Sequence, residues 1–189
     1  MSDSDAFDVE DWAARLEANR TQKDEFFAEH PQSPIPPEER DEFDGLSYFD
    51  PDPEYRVEAN VRVHDDPEAD PVEMESSAGP NVRYLRVATF EFEVGGTEQT
   101  LVAYQQDPDA DEPLFVPFRD KTTGQQTYSD GRYMEFEAER ALDDGDTFTL
   151  DFNLAYNPFC AYSETFACPL PPEENWLDVV IPAGERYDG

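Results

Sequence analysis

TFTLDFNLAYNPFCAYSETFACPLPPEE, residues 147–174, is the stretch around which the rest of the chain is organised. Over residues 147–156, apolar or aromatic side chains alternate with smaller or polar ones, which is the period of a β-strand with two unlike faces. Asp151 and Asn153 lie two residues apart and therefore point to the same side. The Asn-Pro dipeptide that follows ends the strand, because proline has no N–H to donate to a neighbouring strand. The pattern predicts a strand that brings polar groups to a rim, followed by a loop.

The same alternation recurs upstream and predicts further strands. Residues 55–63 are typical of a half-buried strand. Residues 81–94 and 97–105 flank Gly95-Gly96, which supplies the positive φ angles of a tight hairpin turn. Other strands are expected at residues 72–75, 114–119, 125–128, 132–139 and 176–181. About eight or nine short strands separated by turns predict a mainly β protein, an antiparallel barrel or sandwich.

The N-terminal region differs from this β-rich part. Residues 7–30 place apolar side chains in a charged, helix-favouring background, which predicts one or two helices with Asp8 or Asp11 as the cap. Residues 1–6 are expected to be disordered. With 189 residues in total, the chain is long enough for one core, so a single domain over residues 7–189 is expected.

Charge is the strongest global signal in the sequence. The chain has 46 acidic and 13 basic residues, a formal net charge of −33, and the acids are spread along its whole length. Such a surface suits a salt-rich cytoplasm, where a Debye length of ~3 Å near molar salt weakens self-repulsion. The absence of a basic patch argues against nucleic-acid partners. No apolar run of about 18 residues predicts a membrane span, and the start lacks the pattern of a signal peptide. A cytoplasmic protein is therefore expected, with its oligomeric state left open.

Three phrases of the sequence resemble a known family. They are FDGLSYFDPDPEYRVEA at residues 43–59, FRDKTTGQQTYSDGRYM at residues 118–134, and DFNLAYNPFCAYSETFACPLPPEENWLDVVIPAGE at residues 151–185. Together they resemble the bacterial and archaeal family catalogued as domain of unknown function 1684, here as a member of haloarchaeal type, over roughly Trp12 to Glu185. Phe159 stands where the family pattern usually has a second proline. The resemblance supports the domain boundaries and the candidate residues and implies no activity.

The two cysteines, Cys160 and Cys168, are separated by seven residues. They suit a close thiol pair or a disulfide that staples the loop, and buried apolar cysteines are the alternative. The spacing is not a typical zinc spacing, and the only histidines are His30 and His64. No metal or cofactor is therefore expected. Thiol catalysis would need a positive group beside one of the cysteines.

Eight residues are candidates for binding a small molecule. Concave sites with aromatic walls and few polar groups are how proteins hold such ligands, and scarce arginines in an acidic chain often hold anionic groups or buried carboxylates. The candidates are Asp151, Asn153, Tyr156, Asn157, Arg132, Tyr133, Tyr128 and Trp176. The alternatives are pairing of Arg132 with Asp120 or Asp151, and aromatic rings that only fill the core.

The sequence therefore favours a small-molecule-binding β-barrel or sandwich. A hydrolase with Asp151 as general base is the second hypothesis, and a non-catalytic structural or interaction protein is the third, so whether the protein is an enzyme stays open. A ligand-binding role predicts a pocket reached by Asp151, Asn153 and Arg132. A structural role predicts that these three groups pair with one another and leave no cavity.

Overall fold

The computed structural model describes residues 7–107, 109, 112–137 and 142–187. The predicted disordered segment, residues 1–6, lies outside the described residues, as do the last two residues of the strand expected at 132–139. One α-helix precedes the strands. In chain order, the elements are α1 (Val9–Glu29), β1 (Arg56–Val63), β2 (Val72–Met74), β3 (Val82–Val94), β4 (Thr97–Gln105), β5 (Leu114–Phe118), β6 (Arg132–Phe136) and β7 (Thr147–Asp151). The prediction of a mainly β fold with an N-terminal helix is confirmed.

The strands form one antiparallel sheet that curls into a half-barrel. Its order is β6-β5-β4-β3-β1-β7, and β2 pairs with β3 beside this path. The hairpin β3–β4 is the longest ladder, with Val94 opposite Thr97 across the turn. Gly95 and Gly96 have φ angles of 59° and 77°, which confirms the reason for two glycines at this turn.

Alternation along the strands divides buried side chains between the two faces of the sheet. The larger core lies inside the curl and includes Val61, Phe90, Leu101, Val116 and Met134. A smaller cluster, Val72, Met74, Val102 and Tyr104, lies apart from it, with Tyr84 and Phe115 packed against it. Neighbouring residues of β4 thus belong to different clusters, as a period of two requires.

Helix α1 buries Trp12, Leu16 and Phe27. Trp12 reaches Asp151 at the end of β7, whereas the Phe27 ring packs against Phe159 and Tyr162. Asp8 is its N-cap, and its side chain accepts a 3.1 Å hydrogen bond from the backbone N–H of Asp11. Of the two predicted caps, Asp8 is therefore confirmed. Among the described residues, no helix is long and apolar enough to cross a membrane.

The described residues contain seven strands, and the predicted count of eight or nine and the choice between barrel and sandwich are not confirmed. Strand β7 ends at Asp151 and does not continue to Tyr156, because the Asp151 side chain caps a 3₁₀ turn at Phe152–Leu154. The segments expected as strands at 125–128 and 176–181 make only isolated bridges, at Thr127 and Trp176.

The Asn175 side chain ties the C-terminal segment to the sheet. Asn175 lies between β4 and β5, which pair with each other only at Tyr104 and Phe115. The Asn175 side-chain oxygen accepts from the N–H of Val102 at 2.8 Å, and its amide donates to the carbonyls of Val102 and Pro117 at 2.9 and 2.8 Å. One amide therefore satisfies backbone groups of two strands where the ladder is interrupted.

Candidate functional site

Asp151 and Asn153 bond to the protein itself. One carboxylate oxygen of Asp151, Oδ2, accepts from the indole Nε1 of Trp12 at 2.7 Å. The other, Oδ1, accepts from the backbone N–H and the side-chain amide of Asn153 at 3.0 and 2.9 Å. Asn153 also bonds the backbone N–H and carbonyl of Asp52 at 3.0 and 2.8 Å. The Asp-Phe-Asn triplet thus fastens α1 and the segment before β1 to the end of β7.

These contacts bear on the hydrolase hypothesis. A general base needs an oxygen within reach of the proton it removes, and both oxygens of Asp151 already accept hydrogen bonds from the protein. Asp151 also borders a surface cleft of about 390 Å³ beneath α1, together with Trp12 and Thr149. Its role in binding a ligand stays a prediction, and the observed geometry is that of a structural anchor.

Arg132 lies in the protein interior, where its side chain is fully buried. Its Nη2 donates to Asp120 Oδ1 at 3.3 Å and to the carbonyl of Ile181 at 2.9 Å. Its Nη1 donates to the carbonyls of Ala183 and Glu185. Burial lowers the pKa of the guanidinium, and the carboxylate of Asp120 opposes that shift. Arg132 therefore holds the C-terminal segment in place, and it pairs with Asp120, one of the two partners that the sequence suggests. It does not share a pocket with Asp151 and Asn153.

Asn157, Tyr128 and Trp176 each contact other groups of the protein. The Asn157 side chain is buried and donates to the Tyr162 hydroxyl and the Arg186 carbonyl. Tyr128 donates to Asp130 at 3.2 Å. Trp176 is half exposed and has the Arg119 guanidinium 4.9 Å from its ring centre. The binding roles of these three residues stay predictions.

Tyr133 and Tyr156 are two candidates that the structure places side by side in one cleft. Their backbones form an isolated bridge, with N···O distances of 2.8 and 2.9 Å, and their ring centres lie 5.9 Å apart at an angle of 89°. Both line a cleft of about 540 Å³, which we call the aromatic cleft. Its other lining residues are Tyr84, Tyr104, Gln105, Gln106, Glu112, Pro113, Phe115, Glu135, Pro158, Phe159, Phe166, Cys168 and Pro169.

The floor of the aromatic cleft is the side of the sheet that faces away from the larger core. Leu114 and Val116 of β5 belong to the core, so Phe115 between them points the other way. The same alternation in β6 directs Tyr133 and Glu135 outward. Three rings follow one another across this floor, Tyr84, Phe115 and Tyr133, and Tyr156 continues the row at the start of the next loop, with successive centres 5.4, 4.8 and 5.9 Å apart.

Loop 156–169 forms the opposite wall and is held at several points. The Tyr156 hydroxyl donates to Glu135 Oε1 at 2.7 Å, and the Tyr133 hydroxyl donates to the carbonyl of Pro169. The backbone N–H of Cys168 donates to the Ser77 hydroxyl at 3.0 Å. Burial raises the pKa of both tyrosines, and the Glu135 carboxylate adds to the rise for Tyr156, so both hydroxyls stay protonated as donors.

Cys160 and Cys168, both in this loop, are free thiols whose side chains are hydrogen-bonded to each other. A hydrogen bond from the Cys168 thiol lowers the pKa of Cys160 to about 7, and the Tyr128 and Ser77 hydroxyls contribute to the shift. The same bond, together with burial, raises the pKa of Cys168. Cys160 is therefore the more acidic thiol, although no histidine or arginine is responsible. In the described part of the chain, no group of three or more potential metal ligands occurs.

Sequence reasoning missed most of the aromatic cleft. Phe159 and Phe166, whose rings meet at 5.4 Å, belong to the opening stretch but were not among the candidates. They also border a groove of about 800 Å³ along the proline-rich segment after α1. Tyr84 and Phe115 could have been identified from the sequence, because large aromatic residues at the outward positions of predicted strands indicate that the outer face of the sheet is also covered. Which strands lie side by side cannot be read from that signal.

Two comparisons with known proteins give matches. A family model described as "Protein of unknown function (DUF1684)" matches residues 41–186, which include every residue lining the aromatic cleft. The chain is also similar to the solution NMR structure of the uncharacterized protein from gene locus rrnAC0354 of Haloarcula marismortui. The identity is 64%, the TM-score is 0.75, and the match covers 95% of this chain and 96% of that chain. No curated protein matches the chain.

Proposed function

The chain belongs to the DUF1684 family, the family that its motifs predict, and we propose that it binds a small organic molecule in the aromatic cleft. The observation that carries this proposal is the cleft itself. Its volume of about 540 Å³ falls within the roughly 300–1,000 Å³ of typical small-molecule sites. Aromatic rings that only filled the core would leave no such space.

The chemistry of the lining supports the same proposal. Seven of the lining residues are aromatic: Tyr84, Tyr104, Phe115, Tyr133, Tyr156, Phe159 and Phe166. Among them, a few polar groups face the cleft, chiefly the carboxylates of Glu112 and Glu135 and the amides of Gln105 and Gln106. Apolar walls with a small number of polar groups are the usual composition of ligand sites, because the walls supply affinity and the polar groups fix orientation.

The proposed setting is a salt-rich cytoplasm. It is supported by the net charge of −33, with acids along the whole chain. Ligand binding there has to depend on apolar contact and on short-range bonds, since salt screens exposed charges beyond a few ångströms. The aromatic walls of the cleft meet that requirement.

The test is a fragment screen followed by NMR mapping. Neutral, cationic and anionic fragments are added to the ¹⁵N-labelled protein, and the backbone amide shifts are recorded. We expect shifts concentrated at residues 104–106, 133–135 and 156–168 for the fragments that bind. Shifts confined to the groove at residues 31–38, or no binding by any fragment, would overturn the proposal.

Two variants sharpen this test. Phe166→Ala removes a ring from the wall of the cleft, and Val180→Ala removes an apolar side chain elsewhere; the two residues are 37% and 53% exposed. Both substitutions change an exposed apolar side chain, so both should leave the fold intact. Binding should weaken for Phe166→Ala alone. Phe115→Leu, on the floor, should also weaken binding and distinguishes the cleft from the groove that shares Phe166.

A further inference from the structure

The charged residues that line the aromatic cleft are all acidic. Its lining contains two carboxylates, Glu112 and Glu135, and no lysine, arginine or histidine. Glu135 accepts a 2.7 Å hydrogen bond from the Tyr156 hydroxyl, and Glu112 accepts a 3.1 Å bond from the backbone N–H of Gln106. Neither carboxylate is in an ion pair with a basic residue of the described ranges. An anionic ligand would find no counter-charge here.

The faces of the aromatic rings in the cleft also favour a cation over an anion. The π-system of an aromatic ring attracts a cation placed within about 6 Å of its centre, and cages of such rings are how proteins hold quaternary ammonium groups. Tyr156 already takes part in one such contact, because the Lys23 ammonium lies 4.6 Å from its ring centre. The same tyrosine borders both the small cavity that contains Lys23 and the aromatic cleft.

The field of the whole molecule acts in the same direction. A net charge of −33 gives the surface a negative potential, which raises the local concentration of cations and lowers that of anions. This long-range term weakens with salt. The contacts between a bound cation and the aromatic rings act at short range, so they persist at high salt.

Resting on the proposed function, we propose that the ligand of the aromatic cleft is an organic cation, a small molecule with an ammonium or quaternary ammonium group on an apolar body. The rings of the floor and wall hold the alkylated cation and its body. Glu135 and Glu112 supply the counter-charge at the cleft.

The experiment compares three probes of nearly the same shape and different charge. They are choline, which is cationic, 3,3-dimethyl-1-butanol, its neutral analogue, and 3,3-dimethylbutanoate, its anionic analogue. Each is titrated at one fixed ionic strength while the amides of residues 104–106, 133–135 and 156–168 are followed by NMR. We expect choline to bind about threefold to thirtyfold more tightly than the neutral analogue, and the anion to bind most weakly.

Matched variants separate a local carboxylate from the general field. Glu135→Gln keeps an oxygen that accepts the Tyr156 hydroxyl bond and removes the charge at the cleft. Glu93→Gln removes one charge from an exposed position at the far end of β3. We expect the preference for choline over the neutral analogue to fall for Glu135→Gln and to persist for Glu93→Gln.

The possible failures are distinguishable. If the neutral analogue shifts the same amides with equal or higher affinity, the cleft binds small molecules and the cation proposal is wrong. Equal losses in Glu135→Gln and Glu93→Gln would assign the preference to the general field and overturn the role of Glu135. If none of the three probes shifts these amides, the cation proposal falls, and the wider fragment panel alone decides whether the cleft binds ligands.

Discussion

The carboxylate of Asp120 lies 3.3 Å from the guanidinium of Arg132, with both side chains fully buried. Asp120 also accepts bonds from the backbone N–H of Ile181 at 2.7 Å and from the Thr122 hydroxyl. The pair joins the start of β6 to the turn after β5 and to the C-terminal segment. A buried charge that keeps its partner and its hydrogen bonds is tolerated, whereas one that loses its partner is costly.

Asp120→Asn leaves the Arg132 charge buried without its counter-charge. We expect the free energy of unfolding to fall by about 3–5 kcal/mol, measured by urea denaturation so that ionic strength stays constant. Arg15→Met is the control, since it breaks the exposed pair of Arg15 with Asp11 and should cost less than about 1 kcal/mol. Equal effects of the two substitutions would show that the buried pair has no special role.

Trp12→Phe tests whether Asp151 anchors α1. The indole donates to the Asp151 carboxylate at 2.7 Å, and a hydrogen bond to a charged group contributes about 1.5–3 kcal/mol. We expect a loss of unfolding free energy of that size in urea denaturation. The matched control is Trp176→Phe, which removes an indole bond to the neutral carbonyl of Pro171 at a half-exposed position. A smaller loss for Trp12→Phe than for this control would contradict the anchoring role.

The Asp120–Arg132 and Trp12–Asp151 contacts illustrate which features of the structure can be predicted from the sequence. Alternation predicted β1, the β3–β4 hairpin and a strand beginning at Arg132, because the period of a strand is local information. It could not give the end of β7 at Asp151, since the competing 3₁₀ turn depends on a side-chain cap. For Arg132, the sequence left two carboxylate partners open, Asp120 and Asp151. The contacts of the Phe115 ring with Tyr84 and of the Tyr133 ring with Tyr156 depend on strand order and loop packing, which no short stretch encodes.

Asn175→Ala should loosen the sheet between β4 and β5. It leaves the buried N–H of Val102 and the carbonyls of Val102 and Pro117 without the Asn175 amide. Each buried polar group that loses its partner costs about 1–3 kcal/mol, so a total of about 3 kcal/mol is expected. Hydrogen exchange should accelerate at Val102 more than at Phe90 in the neighbouring strand. Asn81→Ala, at an exposed position, is the control, and unchanged Val102 protection would refute this role.

Alkylation of the two thiols should have different pH profiles. With a pKa of about 7, Cys160 should react with iodoacetamide with a midpoint near pH 7, whereas Cys168, whose pKa is raised, should stay slow. Mass spectrometry after short reaction times identifies the modified cysteine. Cys168→Ala removes the hydrogen bond that contributes most to the lowered pKa of Cys160, so the midpoint of Cys160 alkylation should move to higher pH. A midpoint that does not move would show that Cys168 is not the cause.

The same thiol makes stability depend on pH. The folded-state pKa of Cys160 lies below its ordinary value of 9.0, so the ionised thiolate contributes stability that is fully present above pH 9. This contribution declines as the pH falls toward 7 and is lost below it. The stability difference between the wild type and Cys160→Ser should therefore shrink between pH 9 and pH 6.

Glu98→Lys tests the cost of the negative surface at one defined pair. Glu93 and Glu98 lie directly opposite each other beside the β3–β4 turn, both exposed, and like charges in this position repel. The substitution replaces repulsion by attraction, so a gain of about 0.5 kcal/mol is expected at low salt. Near 1 M salt, where the Debye length is ~3 Å, most of that gain should disappear. Glu98→Gln removes the repulsion alone and should give a smaller gain.

Urea denaturation of the wild type, Glu98→Lys and Glu98→Gln across a potassium chloride series measures both the gain and its dependence on salt. A gain that does not depend on salt would mean that side-chain packing, and not charge, limits stability at this hairpin.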